Sequence, residues 1–247
     1  MSPAERILPL IDLTSLNDDD DAATIERLCA DAVTAHGPVA AVCLYAKFVP
    51  QARRLLEGSG VRIATVANFP RGGSDVGRAA AETAAAVAAG ADEVDVVLPF
   101  EAWLAGERAK ARDLIAACKA ACGEQAYLKV ILETAALGPP ARVAEAAGDA
   151  IAAGADFIKT LTGKGAGGAT LEAAEAMLKE IRAAGGGVGF KASGGIRKVA
   201  EAAAYLALAE RILGADWPRP ESFRFGASSL LGDVLQELGG EGAGGDY

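Results

Sequence analysis

The tightest constraint on the fold is a recurrence. Ala88-Ala-Gly-Ala-Asp92 and Ala152-Ala-Gly-Ala-Asp156 each close a helical pattern and open a strand pattern, and Gly214-Ala-Asp216 echoes them. Glycine just past a helix end supplies the left-handed residue that stops it, so each copy marks a helix-to-strand junction. Around these junctions strand patterns are predicted at 8–14, 39–45, 62–68, 93–98 and 127–133, within 154–164, and at 188–196 and 223–227. Helical patterns fill the intervals at 22–35, 50–57, 75–89, 101–121, 140–153, 171–184 and 199–213, and one more follows residue 229. Strand and helix alternating eight times at even spacing predict an α/β fold, a closed (β/α)8 TIM barrel rather than a doubly wound sheet. At 247 residues and 51% hydrophobic content, one barrel domain over 1–238 accounts for the chain. Residues 239–247 are too rich in glycine to pack and are expected to form a flexible tail.

Composition then removes several functions. A net charge of −9 argues against a nucleic-acid partner, because no broad cationic surface is left to neutralise phosphates. No apolar run reaches membrane-spanning length, and residues 1–6 lack the basic-then-apolar layout of a signal peptide, so a soluble, cytoplasmic protein is expected. Cys29, Cys43, Cys118 and Cys122 have no disulfide-framework spacing, and with His36 as the one histidine they make no zinc set, so reduced thiols and no metal are expected. Cys118 and Cys122 share a helix face in an Ala-rich pattern that reads as packing. The acidic run Asp18–Asp21 reads as a solvated cap at a helix N-terminus.

The chemistry concentrates on lysines inside apolar runs. In Gly154-Ala-Asp-Phe-Ile-Lys-Thr-Leu-Thr-Gly163, alternation places Phe157, Lys159 and Leu161 on one face of a buried strand. A lysine held there is pushed toward its neutral, nucleophilic amine, the form that attacks a carbonyl to give a Schiff base. Lys191 stands in the next strand, just before Ser193-Gly194-Gly195. Two ammoniums about 6 Å apart at an effective dielectric near 20 repel by about 2.8 kcal/mol, which raises the free-amine fraction roughly a hundredfold. In a barrel the reacting groups come from the C-terminal ends of strands. The polar residues expected there are Asp12, Cys43, Asn68, Asp95, Lys129, Glu133, Lys159, Lys191 and Ser228, with Lys129 and Glu133 able to pair within their strand or with neighbours.

Eight segments in this order resemble the 2-deoxyribose-5-phosphate aldolases, a class I aldolase family with a (β/α)8 barrel. They are Ile11-Asp-Leu-Thr14, Ala41-Val-Cys-Leu-Tyr45, Ala64-Thr-Val-Ala-Asn-Phe-Pro70, Glu93-Val-Asp-Val-Val97, Lys129-Val-Ile-Leu-Glu-Thr134, Asp156-Phe-Ile-Lys-Thr160 with Thr162-Gly-Lys164, Gly189-Phe-Lys-Ala-Ser-Gly-Gly-Ile-Arg197 and Arg224-Phe-Gly-Ala-Ser-Ser229. The resemblance implies Lys159 as the Schiff-base lysine, Lys191 as the lysine that perturbs it and Asp95 as the acid/base partner. It implies cleavage of 2-deoxy-D-ribose 5-phosphate to D-glyceraldehyde 3-phosphate and acetaldehyde without a cofactor, in deoxyribonucleotide catabolism. Ala46 and Leu161 depart from the family's usual proline and serine; the second removes a hydroxyl near Lys159.

A substrate phosphate needs a local cradle. Gly194 and Gly195 after the seventh strand, Ser228 and Ser229 before the last helix, and Gly163 with Lys164 supply backbone N–H groups, hydroxyls and a charge for it. Asp12, Cys43, Lys129 and Thr160 complete the expected substrate-binding set. A flexible tail can span on the order of 16 Å, enough to return Tyr247 over the barrel mouth as a proton-transferring gate. Small phosphosugar and aldehyde substrates are the partners expected, with a homodimer left open. Another Schiff-base barrel aldolase, or a non-catalytic phosphosugar-binding barrel, stays open on the residues alone.

Overall fold

The computed structural model describes residues 1–239. Eight parallel strands close a barrel in chain order: β1 (Ile11–Thr14), β2 (Ala41–Leu44), β3 (Arg62–Ala67), β4 (Glu93–Val97), β5 (Tyr127–Ile131), β6 (Phe157–Lys159), β7 (Gly189–Ser193) and β8 (Phe223–Ala227), with β1 pairing to both β2 and β8. Around them run α1 (Ala22–Asp31), α2 (Val49–Leu55), α3 (Val76–Ala88), α4 (Arg108–Cys122), α5 (Pro140–Ala152), α6 (Leu171–Ala183), α7 (Val199–Leu213) and α8 (Leu230–Glu237). The chain is a (β/α)8 TIM barrel.

The recurring junction has a structural reason. Gly90 and Gly154 take φ of +102° and +98°, which residues with a Cβ rarely adopt. The aspartates that follow staple the sheet. Asp92 Oδ2 accepts from the Ile63 amide at 2.8 Å, and Asp156 Oδ2 accepts from the Leu128 amide at 2.7 Å. Each also holds a cation from the helical layer, Arg53 at 2.8 Å and Lys119 at 2.6 Å. The third copy differs: Asp216 is exposed, because residues 217–222 intervene before β8.

Alternation sorts every strand into two faces. The outward set, including Ile63, Val94, Val96, Leu128, Val130, Ile158, Phe190, Phe223 and Phe225, is buried with Leu114, Ile115, Val143, Met177, Leu178, Ile181 and Leu206 of the helices in one core. Each such side chain contributes about 1.5–3 kcal/mol by leaving water. Cys118 and Cys122 are buried free thiols in the same layer.

Several boundaries move. Residues 8–10 form a 3-10 turn around Pro9, not strand, so β1 begins at Ile11. Before it, Pro3–Ile7 is helical, held by a capping box in which Ser2 Oγ accepts from the Glu5 amide at 3.2 Å. The helix predicted at 22–35 stops at Asp31, and a small antiparallel pair, Val33–Thr34 with Gly37–Pro38, follows. The 101–121 region splits into Phe100–Leu104 and α4. The acidic run is not wholly solvated: Asp21 caps α1, but Asp20 is buried and accepts from Ser15 Oγ and from the Asn17 amide at 3.0 Å.

Candidate active site

The inward faces carry the charge. Asp12 from β1, Glu93 and Asp95 from β4, Lys129 from β5, Lys159 from β6, Lys191 from β7 and Arg224 from β8 are all at most 3% exposed. Opposite them β2 and β3 present Ala41, Cys43, Ala64 and Val66, small enough to leave room for long side chains, with Arg62 at the start of β3 reaching Glu93 at 3.5 Å. Register supplies the rest of the space. Gly189 lies level with Phe157, and a Cβ there would come within 2.3 Å of the ring. At Gly226 a Cβ would stand 2.8 Å from Lys191 Cε. Glycine at these two strand positions is what allows Phe157 and Lys191 to fill the barrel.

Asp95 is the hub of the contacts. Its Oδ2 accepts from Lys159 Nζ at 2.8 Å and from Lys191 Nζ at 2.9 Å, while its Oδ1 faces Lys129 Nζ at 3.2 Å. Because both bond one oxygen, the two lysine nitrogens are held as near neighbours, as their register pairing on β6 and β7 dictates. Lys191 reaches Asp12 as well, at 2.6 Å. Beneath them Lys129 bonds Glu93, and Arg224 ties Asp12 at 2.6 Å to Glu93 at 2.8 Å.

These contacts fix the protonation states. Burial pushes the carboxyl of Asp95 upward, but Lys129, Lys159 and Lys191 outweigh it and hold the pKa well below the usual range. Asp12 is likewise lowered despite burial, by Lys191, Arg224 and Lys129, and Glu93 by Lys129 and Arg224. Burial works against the charge on Lys191, yet Asp12 and Asp95 raise its pKa. Lys191 is therefore a fixed positive charge beside Lys159. Around these carboxylates, Asp12, Glu93 and Asp95, stand the side chains of Lys129, Lys159, Lys191 and Arg224.

A cleft of about 200 Å³ opens above this network at the C-terminal ends of the strands. Lys159 lines it together with Gly163, Lys164, Gly194, Gly195, Ser228 and Ser229, so the expected cradle and the expected nucleophile share one cavity. Gly194 and Gly195 have φ of +114° and +82°, which turns the chain after β7 around the cleft. Ser229 precedes α8 without capping it through its side chain. Thr14 at the end of β1, Leu16 and Asn17 after it, and Arg197 add to the wall.

Other expected site residues lie elsewhere. Asp12 and Lys129 sit below the cleft inside the ion network. Thr160 does not face the cavity: its hydroxyl donates to the Ser193 carbonyl at 2.6 Å and accepts from the Ser193 amide at 2.9 Å, bracing β6 to β7. Cys43 is fully buried among Leu16, Ala41, Ala64 and Val66, and burial raises its thiol pKa. Lys129 and Glu133 do not pair along their strand, because β5 ends at Ile131 and Glu133 takes a φ of +55°. Glu133 instead accepts from the Thr162 amide at 3.1 Å. Asn68, also in a left-handed conformation, donates to the carbonyls of Gly73 at 2.8 Å and Val97 at 2.9 Å and so pins the loop after β3. Tyr247 and the tail from residue 240 lie outside the described residues. Sequence reasoning gave no role to Glu93 or Arg224, although each is a charge at an inward position of an apolar strand, the same signal that singled out Lys129.

Comparison with known proteins agrees with this geometry. The profile of the DeoC/LacD family aldolases matches residues 6–235. A candidate deoxyribose-phosphate aldolase from Coccidioides immitis is 27% identical with a TM-score of 0.84, over 95% of this chain and 87% of that one. The deoxyribose phosphate aldolase of Aeropyrum pernix, whose structure is a tetramer, is 26% identical with a TM-score of 0.75, over 96% and 92%. A Toxoplasma gondii structure at 23% identity and a TM-score of 0.86, over 95% and 94%, shares the fold. The match of the family profile across nearly all of a barrel built in this way places the chain in the DeoC/LacD aldolase family.

Proposed function

We propose that the chain is a class I deoxyribose-phosphate aldolase that cleaves 2-deoxy-D-ribose 5-phosphate into D-glyceraldehyde 3-phosphate and acetaldehyde through a Schiff base on Lys159. One observation carries the reading: of the four buried cations, Lys159 alone also lines the cleft, so one amine meets both the ion network and the substrate. The names of the Coccidioides and Aeropyrum relatives support the same activity.

The chemistry follows from that position. Neutral Lys159 Nζ adds to the C1 aldehyde of the open-chain sugar, and loss of water gives an iminium. A base removes the C3 hydroxyl proton, the C2–C3 bond breaks, C3 becomes the aldehyde carbon of glyceraldehyde 3-phosphate, and the bonding pair moves to C2 as an enamine. Protonation at C2 and addition of water then release acetaldehyde and restore the amine. Asp95, bonded to both Lys159 and Lys191, is placed to move these protons directly or through one water. At the other end of the cavity the amides near Gly194 and Gly195, the hydroxyls of Ser228 and Ser229, and Lys164 suit a phosphate dianion. The net charge of −9 is thereby offset locally. This activity suits a cytoplasmic enzyme of deoxyribonucleotide breakdown.

The test is acetaldehyde release measured across a panel of phosphorylated sugars. Release from 2-deoxyribose 5-phosphate well above every other substrate is expected. Cleavage of a different phosphosugar in its place would make the chain a Schiff-base aldolase of other specificity, and no cleavage of any would overturn the enzymatic reading.

A further inference from the structure

Glu133 stands at the barrel mouth, and the proposed mechanism leaves it without a role. It is 6% exposed and does not line the catalytic cleft. A carboxyl shielded from water usually has a cation beside it, because its charge is otherwise costly to bury. Among the described residues no ion pair joins Glu133 to a cation, although Arg71 and Lys164 border the same hollow of about 360 Å³. Its backbone is unusual as well. Asn68 and Glu133 are the two residues other than glycine with positive φ among those described, and asparagine tolerates that conformation far better than glutamate.

The hydrogen bonds show where this conformation comes from. The Leu132 amide donates to the Lys159 carbonyl at 2.9 Å and the Thr134 amide to the Thr160 carbonyl at 3.0 Å. Two residues advance on one side against one on the other, whereas a regular parallel ladder advances two on both. Glu133 is thus an extra residue, bulged out of the pairing where β5 and β6 end. The bulge leaves the Thr162 amide without a main-chain acceptor, and Glu133 Oε2 takes that place at 3.1 Å.

This bond sits at the root of a turn that walls the cleft. Thr162 Oγ1 accepts from the Lys164 amide at 3.1 Å, and Thr162, Gly163 and Lys164 all line the cavity. Gly165 passes close over the carboxyl: a Cβ there would stand 3.3 Å from Glu133 Oε1. Residues 163–168 are exposed and four of them are glycine, so the backbone there is free and its path depends on its anchors. The far anchor is the Ala169 amide, which donates to the Gly194 carbonyl at 2.9 Å. Glu133 is the near one. We infer that Glu133 is the positioning residue of the phosphate end of the site: its carboxyl holds the Thr162–Lys164 turn against the cleft and thereby sets the preference for phosphorylated sugars. The inference rests on the reading that Gly163 and Lys164 hold the substrate phosphate.

Sign separates positioning from charge. Taking a negative group out of the hollow that Lys164 borders would, by Coulomb attraction alone, tighten the binding of an anion. Loss of the anchor loosens it. Steady-state kinetics on 2-deoxyribose 5-phosphate and on unphosphorylated 2-deoxyribose read the difference. Glu133→Ala should raise KM for the phosphorylated sugar about tenfold, while its kcat, and kcat/KM for the unphosphorylated sugar, stay within about twofold of wild type. Glu133→Gly should do the same, and glycine adopts a φ of +55° without strain, so it folds even where the alanine variant does not. Glu133→Gln keeps an oxygen for the Thr162 amide and loses the charge, so its KM should equal or fall below that of wild type. Adding Glu133→Ala to Lys164→Ala should raise KM little beyond Lys164→Ala alone, because the anchor acts through that turn. An unchanged or lowered KM in the alanine and glycine variants, equal losses on both sugars, or a glutamine variant as impaired as the alanine one would overturn the inference. A wild-type KM in Lys164→Ala would instead overturn the phosphate reading beneath it, and the inference with it.

Discussion

The two faces of the same eight strands are built from opposite chemistry. Outward, Val94, Leu128, Ile158, Phe190 and Phe225 pack against helices; inward, their sequence neighbours Asp95, Lys129, Lys159, Lys191 and Arg224 are ions buried to the same degree. The apolar face gains free energy from every residue it removes from water. The charged face gains little, because desolvation of the ions consumes most of their mutual attraction. Stability and reactivity are thus separated by the pleat of the strand, and a substitution can strike one while sparing the other.

The sharpest division is expected at Lys159. Lys159→Ala removes the iminium and should lower turnover on the order of 10^4-fold or more. Its effect on folding should be small, because Asp95 keeps Lys129 and Lys191 as partners. Thermal unfolding and retro-aldol assays on one preparation check both halves, and a collapse in stability would erase the division. The converse is Phe190→Ala on the outward face, which should cost about 3–5 kcal/mol of stability while the kcat of the folded fraction stays near wild type.

Acid separates the faces without mutation. The carboxyls of Asp12, Glu93 and Asp95 titrate lower in the folded barrel than in the unfolded chain. Their stabilisation is complete above the usual carboxylate value near 4 and is lost as the pH falls through the folded values, since the unfolded chain then binds more protons. Lys191 and Arg224 are shifted upward, so their contribution is fully present below the ordinary lysine value and is lost only in strong alkali. The unfolding temperature should therefore be level from about pH 5 to 9 and fall below about pH 4. A flat acid limb would mean that the inward ions contribute nothing through their protonation.

Gly226→Ala lies between the two extremes. Its new methyl would press on Lys191 Cε and Ser193 Cβ, at 2.8 and 2.9 Å, so a stability loss of about 1–3 kcal/mol should come with a lower kcat as Lys191 shifts from Asp95. The smallest effect is expected at the mouth, where Ser229→Asp should raise KM for 2-deoxyribose 5-phosphate by about tenfold and leave unphosphorylated 2-deoxyribose little changed. Equal effects on both sugars would move the phosphate away from this end of the cleft.

Much of this was legible because alternation is a local property. Strand period alone puts Lys129, Lys159, Lys191 and Asp95 inside, and two glycine-containing turns on neighbouring strands mark the cleft wall. What the sequence does not contain is the distance across a closed barrel. Lys129 finds Glu93 and Asp95 on β4 rather than Glu133 two turns of the pleat along, because β5 stops and the backbone reverses its handedness at Glu133. Arg224 shows the same limit, since its partners Asp12 and Glu93 lie 212 and 131 residues away. Thr160 was misplaced for a simpler reason: it follows Lys159 in sequence but its hydroxyl bonds the neighbouring strand.

The central claim is that one buried amine among three lysines in the barrel is the nucleophile. Borohydride reduction in the presence of acetaldehyde, followed by peptide mapping, addresses it directly. The account predicts a single added ethyl group, carried by Lys159, with Lys129 and Lys191 unmodified. An adduct on Lys191 in place of Lys159, or no adduct in an enzyme that still releases acetaldehyde, would contradict it.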